Sequence, residues 1–166
     1  MSTCIVGIDL GGTNLKAGIV DTDGRILYSL SIKTNSNADP QTISNQILEL
    51  IAETIQSAQI EESDVAGIGL GSPGLVDKTG ETILFSPNLP RWRNIPIKRI
   101  VSERFSKPCV LENDANAAAW GEKWVGAGKE VKSLVMLTLG TGVGGGIVID
   151  NKLWRGANNV AAEIGH

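Results

Sequence analysis

Asp9-Leu10-Gly11-Gly12-Thr13-Asn14-Leu15-Lys16 sets a glycine pair between two short apolar runs, Thr3–Leu10 and Leu15–Asp21. Both runs are rich in β-branched residues and too short for helices, so the glycines turn one strand into the next. A glycine turn between two strands excludes the dinucleotide fingerprint and the phosphate loop that ends in Lys-Ser/Thr, because both need a helix after the glycines. A turn bare of side chains does let backbone N–H groups approach a polyphosphate, and Thr13 and Lys16 add a hydroxyl donor and a charge. Asp9, at the strand end, suits a hydrated Mg²⁺ held between carboxylate and phosphate. The blander reading is a plain hairpin turn with a solvated aspartate. The motif alone does not choose between them.

Working outward, Arg25–Ile32 is a third strand, joined to the second across Asp23-Gly24. Asp39-Pro40 reads as a helix cap followed by proline at the first helical position. Behind it Ile43, Ile47, Ile51 and Ile55 form one apolar stripe along a helix of about five turns. Val65–Leu70 is the next strand, ending in Gly71-Ser72-Pro73-Gly74, and Thr79–Pro90 is a hairpin and loop. Ile97–Phe105 reads as a helix, Pro108–Leu111 as a strand, and Asp114 as the cap of an Ala-rich helix reaching Val125. The order βββαβαβα predicts an α/β unit of the ribonuclease H-like kind, a mixed sheet covered by helices, over residues 1–126. The pattern then restarts. Leu134–Leu139 runs into Gly140-Thr141-Gly142, with strands at Gly146–Asp150 and Lys152–Trp154. Leu137-Thr138-Leu139-Gly140 echoes Ile8-Asp9-Leu10-Gly11, so residues 127–166 are expected to begin a second, incomplete unit of the same kind.

A net charge of −3 over 166 residues gives no basic footprint for nucleic acid, and no block of like charge suggests a membrane surface. No stretch approaches the roughly 20 uninterrupted apolar residues of a membrane helix, and the N-terminus lacks a signal-like core. Cys4 and Cys109 lie in apolar strand-like runs and read as buried free thiols, which suits a reducing cytoplasm.

The second glycine cluster, Gly140 to Gly146, is either a bulged hairpin or a second bare backbone loop. In the latter case two loops at matching places in duplicated units would clamp one nucleotide's phosphates. Glu112-Asn113-Asp114-Ala115-Asn116 places an aspartate where a strand becomes a helix. As a cap it is ordinary; as a general base it would accept the proton of a sugar hydroxyl attacking the γ-phosphate. Asn113 offers a donor and an acceptor to vicinal hydroxyls. Glu163 and His166, three apart, share one side of a helix or turn and could bond sugar hydroxyls, or the imidazole could ligate a metal. Among the tryptophans only Trp92 lies in a candidate sugar loop, and packing is the leading reading even there.

Together these motifs resemble the ROK kinases (repressors, open reading frames and kinases), within them the bacterial-type glucokinases. The resemblance runs the length of the chain: Asp9 to Lys16 is similar to the family's first phosphate motif, Glu112 to Asn116 to its catalytic segment, and Leu139 to His166 to its signature. It implies an actin-like ATPase architecture, of which this chain is the N-terminal portion, with a complete first unit and a truncated second. It further implies Asp114 as catalytic base, with Asn88, Asn113, Asp114, Glu163 and His166 on the sugar and Gly74 lining its pocket. Asp9, Gly11, Gly12, Thr13, Asn14 and Lys16, with Gly140, Thr141 and Gly142, would hold Mg²⁺-ATP. In this family His166 would also ligate a structural zinc with cysteines of a following loop, a loop absent here; Cys4 and Cys109 match none of its positions. The implied activity is phosphorylation of a hexose, glucose first, with N-acetylated hexosamines and fructose as alternatives, in a cytoplasmic enzyme of carbohydrate metabolism. A homodimer is expected of the full-length form, and neither nucleic acid nor membrane as partner. One rival is the sugar-binding module of a ROK repressor, which needs a preceding helix-turn-helix. Another is an actin- or chaperone-like ATPase, against which the Asn113-Asp114 and Glu163-His166 pairs argue.

Overall fold

Cys4–Leu10 forms β1 and Asn14–Asp21 forms β2, antiparallel partners in unbroken register from Cys4 opposite Asp21 to Leu10 opposite Leu15. The computed structural model describes residues 3–139, 142–163 and 165. Ile26–Lys33 (β3) pairs antiparallel with β2. The turn between them is held by Asp21, whose Oδ1 accepts from the N–H groups of Asp23 and Arg25 at 2.9 and 2.8 Å. Helix α1 (Pro40–Ser57) follows, then a single 3₁₀ turn and β4 (Val65–Ser72), which lies parallel to β1. Leu75–Val76 (β5), Ile83–Phe85 (β6) and Arg93–Ile95 (β7) make a small antiparallel sheet of their own. Helix α2 (Ile97–Phe105) leads to β8 (Cys109–Asn113), and the main sheet reads β3-β2-β1-β4-β8. This is the mixed α/β sheet the sequence predicts, with the small sheet inserted where only a hairpin and loop were expected.

The core follows from alternation. Cys4, Val6, Ile8 and Leu10 on β1, with Leu15, Ala17 and Ile19 on β2, are buried against Ile43, Ile47, Leu50, Ile51 and Ile55 of α1. Each such side chain removed from water contributes roughly 1.5–3 kcal/mol before entropy is counted. Cys4 and Cys109 are buried free thiols, outside any disulfide; burial pushes Cys109 up to about 11. Among the described residues no helix is long and apolar enough to cross a membrane.

Asp39 caps α1 as expected. Its carboxylate accepts from the Thr42 hydroxyl at 2.7 Å and the Thr42 N–H at 3.0 Å, and Pro40 opens the helix. The Thr42 hydroxyl, then the Thr42 N–H, hold the Asp39 carboxyl below its ordinary value. A carboxylate whose folded pKa is depressed contributes stability that is present above its unfolded pKa, about 3.9, and is lost as pH falls through the folded value. Asp39→Ala should therefore lower the melting temperature at pH 7, and the gap to wild type should narrow below about pH 4. Paired thermal melts from pH 7 to pH 2.5 check this.

The chain divides into two units, Met1–Glu112 and Asn113–His166. The second contains α3 (Asp114–Trp124), β9 (Leu134–Leu139), β10 (Val143–Ile149) and β11 (Lys152–Leu153), with sheet order β11-β10-β9. The division falls earlier than the 126/127 boundary read from the sequence, because α3 packs on β9 and β10. Its small residues explain the contact: a methyl group at Gly146 would run into Ala119, and would stand 2.8 Å from the Ala115 carbonyl oxygen. An Ala-rich helix face laid on a glycine strand allows this approach. Gly144 to Gly146 are thus strand residues, Gly146 against α3, Gly144 against Thr138 and Ala115, and Gly145 against Ala162 and the Met136 carbonyl, so of the two readings of the cluster the strand holds from Val143 onward. β9 turns Val135, Leu137 and Leu139 outward, all exposed.

Candidate functional site

The first unit builds the turn from the strand register. Asp9 and Lys16 are directly opposite one another on β1 and β2, on the face away from the buried set. Lys16 Nζ stands 3.6 Å from Asp9 Oδ2, with both side chains more than half exposed. Such an exposed pair adds about 0–1 kcal/mol to stability, so packing does not account for its placement. Gly11, Gly12 and Thr13 connect the strands, and the Gly11 N–H donates to the Asn14 carbonyl at 3.0 Å. The sheet face beside Asp9 is bare: Gly7 pairs with Gly18 and Gly69, and Asp9 with Gly71. The sequence carried a signal for this floor, the alternation Gly67-Ile68-Gly69-Leu70-Gly71, which the motif reading passed over.

Asn88 is displayed by two successive turns. Leu89 N–H donates to the Ser86 carbonyl at 3.3 Å and Trp92 N–H to the Leu89 carbonyl at 2.9 Å. Leu89 and Trp92 are fully buried and anchor the loop, while Asn88, immediately before Leu89, is exposed. Trp92 is therefore a packing residue. A methyl group on Gly12 would stand 2.6 Å from Asn88 Cβ and 3.0 Å from its carbonyl oxygen. The phosphate-type turn and the candidate sugar loop thus press directly on each other, at a distance that only glycine permits. Gly74, with φ +87°, does the same from the other end of the loop, against Phe85, Ser86 and Pro87.

The second unit holds the other candidates. Asn113, not Asp114, is the N-cap of α3: its side chain accepts from the Asn116 N–H at 3.1 Å. Asp114 is the first helical residue, and its Oδ1 accepts from the Ala115 N–H at 2.8 Å. The correction has a physical reason: Asn113 keeps extended backbone (ψ 143°), as a cap must, while Asp114 is already helical. Asp114 and Glu163 are both exposed, and Gly142 opens onto free space. Gly140, Thr141 and His166 lie outside the described residues. Among those described, no group of three or more His, Cys, Asp or Glu is placed to hold a metal.

Comparison with known proteins places these features in context. The chain is 44% identical over 161 residues to a glucokinase of Streptomyces coelicolor, covering 97% of this chain and 48% of that protein. It is 37% identical over 162 residues to a xylose repressor of Caldicellulosiruptor bescii, covering 98% of this chain and 40% of the repressor. Among solved structures, a ROK family glucokinase from Streptomyces griseus in complex with glucose and AMPPNP superposes with a TM-score of 0.87 at 44% identity, over 98% of this chain and 50% of that one. The chain spans about half the length of the relatives it matches. Its architecture is the actin-like ATPase fold of the ROK sugar kinases. The ROK family model matches residues 5–166, and the chain belongs to the ROK family.

Proposed function

We propose that this chain supplies the phosphate turn, the sugar loop and the catalytic carboxylate for transfer of the γ-phosphoryl group of ATP to a hexose, glucose foremost. The observation that carries the proposal is the contact of Gly12 with Asn88, which joins a polyphosphate-binding type of turn to a polar loop within one unit. In this reading Gly11, Gly12 and Thr13 offer backbone N–H groups, and Lys16 a charge, to the phosphates. Asn88, Asn113 and Glu163, with His166, orient the sugar. Asp114 accepts the proton of the attacking hydroxyl. The exposed Asp9 carboxylate would suit a hydrated Mg²⁺, leaving the ion's other positions to water and phosphate, once Lys16, 3.6 Å away, turned from the carboxylate to the phosphates. When bound, that ion neutralises charge on the phosphates. Zinc is different: Cys4 and Cys109 are buried in the first unit's core and do not fit as ligands, and no step passes through that metal. The second unit is read as the opening of a second ribonuclease H-like domain, its Gly140-Thr141-Gly142 sequence the counterpart of Gly11-Gly12.

The similarity to the xylose repressor motivates one alternative, a module that binds sugar without transferring phosphate. A coupled assay for hexose phosphate separates the two. It should be run on the chain itself and on a chimaera in which the chain replaces the matching 161 residues of the Streptomyces coelicolor glucokinase. Turnover with glucose above that with N-acetylglucosamine, N-acetylmannosamine and fructose is expected of the chimaera. Sugar binding without turnover in a folded chimaera would favour the sensor reading, and ATP hydrolysis indifferent to sugar would sink both.

A further inference from the structure

Thr34, the first residue after β3, makes two hydrogen bonds to the glycine turn. Its Oγ1 donates to the Gly11 carbonyl at 2.7 Å, and its N–H donates to the Thr13 carbonyl at 3.0 Å. A trans peptide carries its C=O and the next N–H on opposite sides, and the described chain has no cis peptide. Holding the Gly11 carbonyl on Thr34 therefore sends the Gly12 N–H the other way. Neither the Gly12 N–H nor the Thr13 N–H is bonded among the described residues. A glycine pair has an alternative that other residues lack, a rotated Gly11–Gly12 peptide with the carbonyl where the N–H stands. A carbonyl oxygen so placed repels a phosphate that the N–H would attract.

We propose that Thr34 is a positioning residue: its hydroxyl locks the Gly11–Gly12 peptide so that N–H, not C=O, faces the phosphates. The proposal rests on the phosphate reading of the turn. It adds a residue that no motif in the sequence includes, because Thr34 reaches the turn only through the β2–β3 pairing, in which Asn14 lies opposite Lys33.

The test uses the chain with Thr34→Val and Thr34→Ala, which lose the hydroxyl, and Thr34→Ser, which keeps it. NMR follows the Gly11 carbonyl and Gly12 amide resonances, and titrations with MgATP and with inorganic tripolyphosphate follow binding. Loss of one such hydrogen bond should move or broaden both resonances and weaken phosphate binding about five- to tenfold. Glucose affinity should hold, melting temperature should fall by no more than the few degrees that one lost hydrogen bond costs, and Thr34→Ser should restore the wild-type values. If the wild type binds these ligands and both hydroxyl-free variants bind equally well with unmoved resonances, Thr34 has no positioning role. Failure of serine to restore the wild-type values would equally remove that role. A wild-type chain that binds neither ligand overturns the phosphate reading of the turn, and with it the role given to Thr34.

Discussion

Asp114→Asn, placed in the glucokinase chimaera, should reduce hexose phosphorylation by about 10²–10⁴-fold while sugar affinity stays within a few-fold, the loss expected when a general base is removed. The position admits two roles, and this variant separates them. As first residue of α3, Asp114 also sits at the positive end of a helix, where a negative charge adds about 0.3–1 kcal/mol. A purely structural aspartate would therefore cost a little stability, and turnover would fall only with the folded fraction. A base would leave the folded fraction nearly unchanged and abolish the chemical step. Retained turnover in a folded Asp114→Asn chimaera would remove Asp114 from the mechanism and leave Asn113 as the cap of a helix with no chemistry at its start.

The parts of the fold that could be read from the sequence were those that repeat. β1, β2, β3 and α1 announce themselves through alternation and four-residue spacing, and Asp39-Pro40 marks the helix start to the residue. β5 to β7 were missed as a sheet because strands of two or three residues are too short to show a period. The cap of α3 was assigned one residue late because asparagine and aspartate are adjacent there and equally good caps, so only backbone geometry separates them. The Gly144–Gly146 run misled for a different reason. Glycine marks close approach, but it does not say of what, and here the close neighbours are Ala115 and Ala119 of α3 at Gly146, Thr138 at Gly144, and Ala162 and Met136 at Gly145. For the candidate site, residue types were legible and contacts were not: that Asn88 meets Gly12 depends on how a distant loop folds back on the turn, and that Thr34 meets Gly11 depends on the β2–β3 pairing.

The same ambiguity sharpens the expectation for Gly74, read from the family resemblance as a pocket-lining residue. Its φ of +87° is strained for any side chain, at about 1–2 kcal/mol. A β-carbon there would also overlap the Phe85 carbonyl, stand 2.8 Å from Ser86 Cα, and 3.0 Å from Pro87 Cδ. None of these is the end of a flexible side chain, so backbone must move, at about 1–3 kcal/mol. Gly74→Ala should thus destabilise the chain by about 3 kcal/mol, a large share of the 5–15 kcal/mol typical of a domain. Urea unfolding should report it as a lowered midpoint with unchanged slope. Gly7→Ala is the control, since a methyl group there meets nothing within 4 Å and its strand backbone tolerates alanine. Because the segment that must yield carries Asn88 three residues beyond Phe85, the surviving folded Gly74→Ala protein should also bind sugar more weakly than the wild type does. Equal stability of the two variants would mean that the loop relaxes around a methyl group, and Gly74 would then be no more than a convenient turn residue. Lost stability with intact sugar affinity would instead separate the Gly74 contact from the placement of Asn88, leaving the Gly12 side as what sets that residue's position.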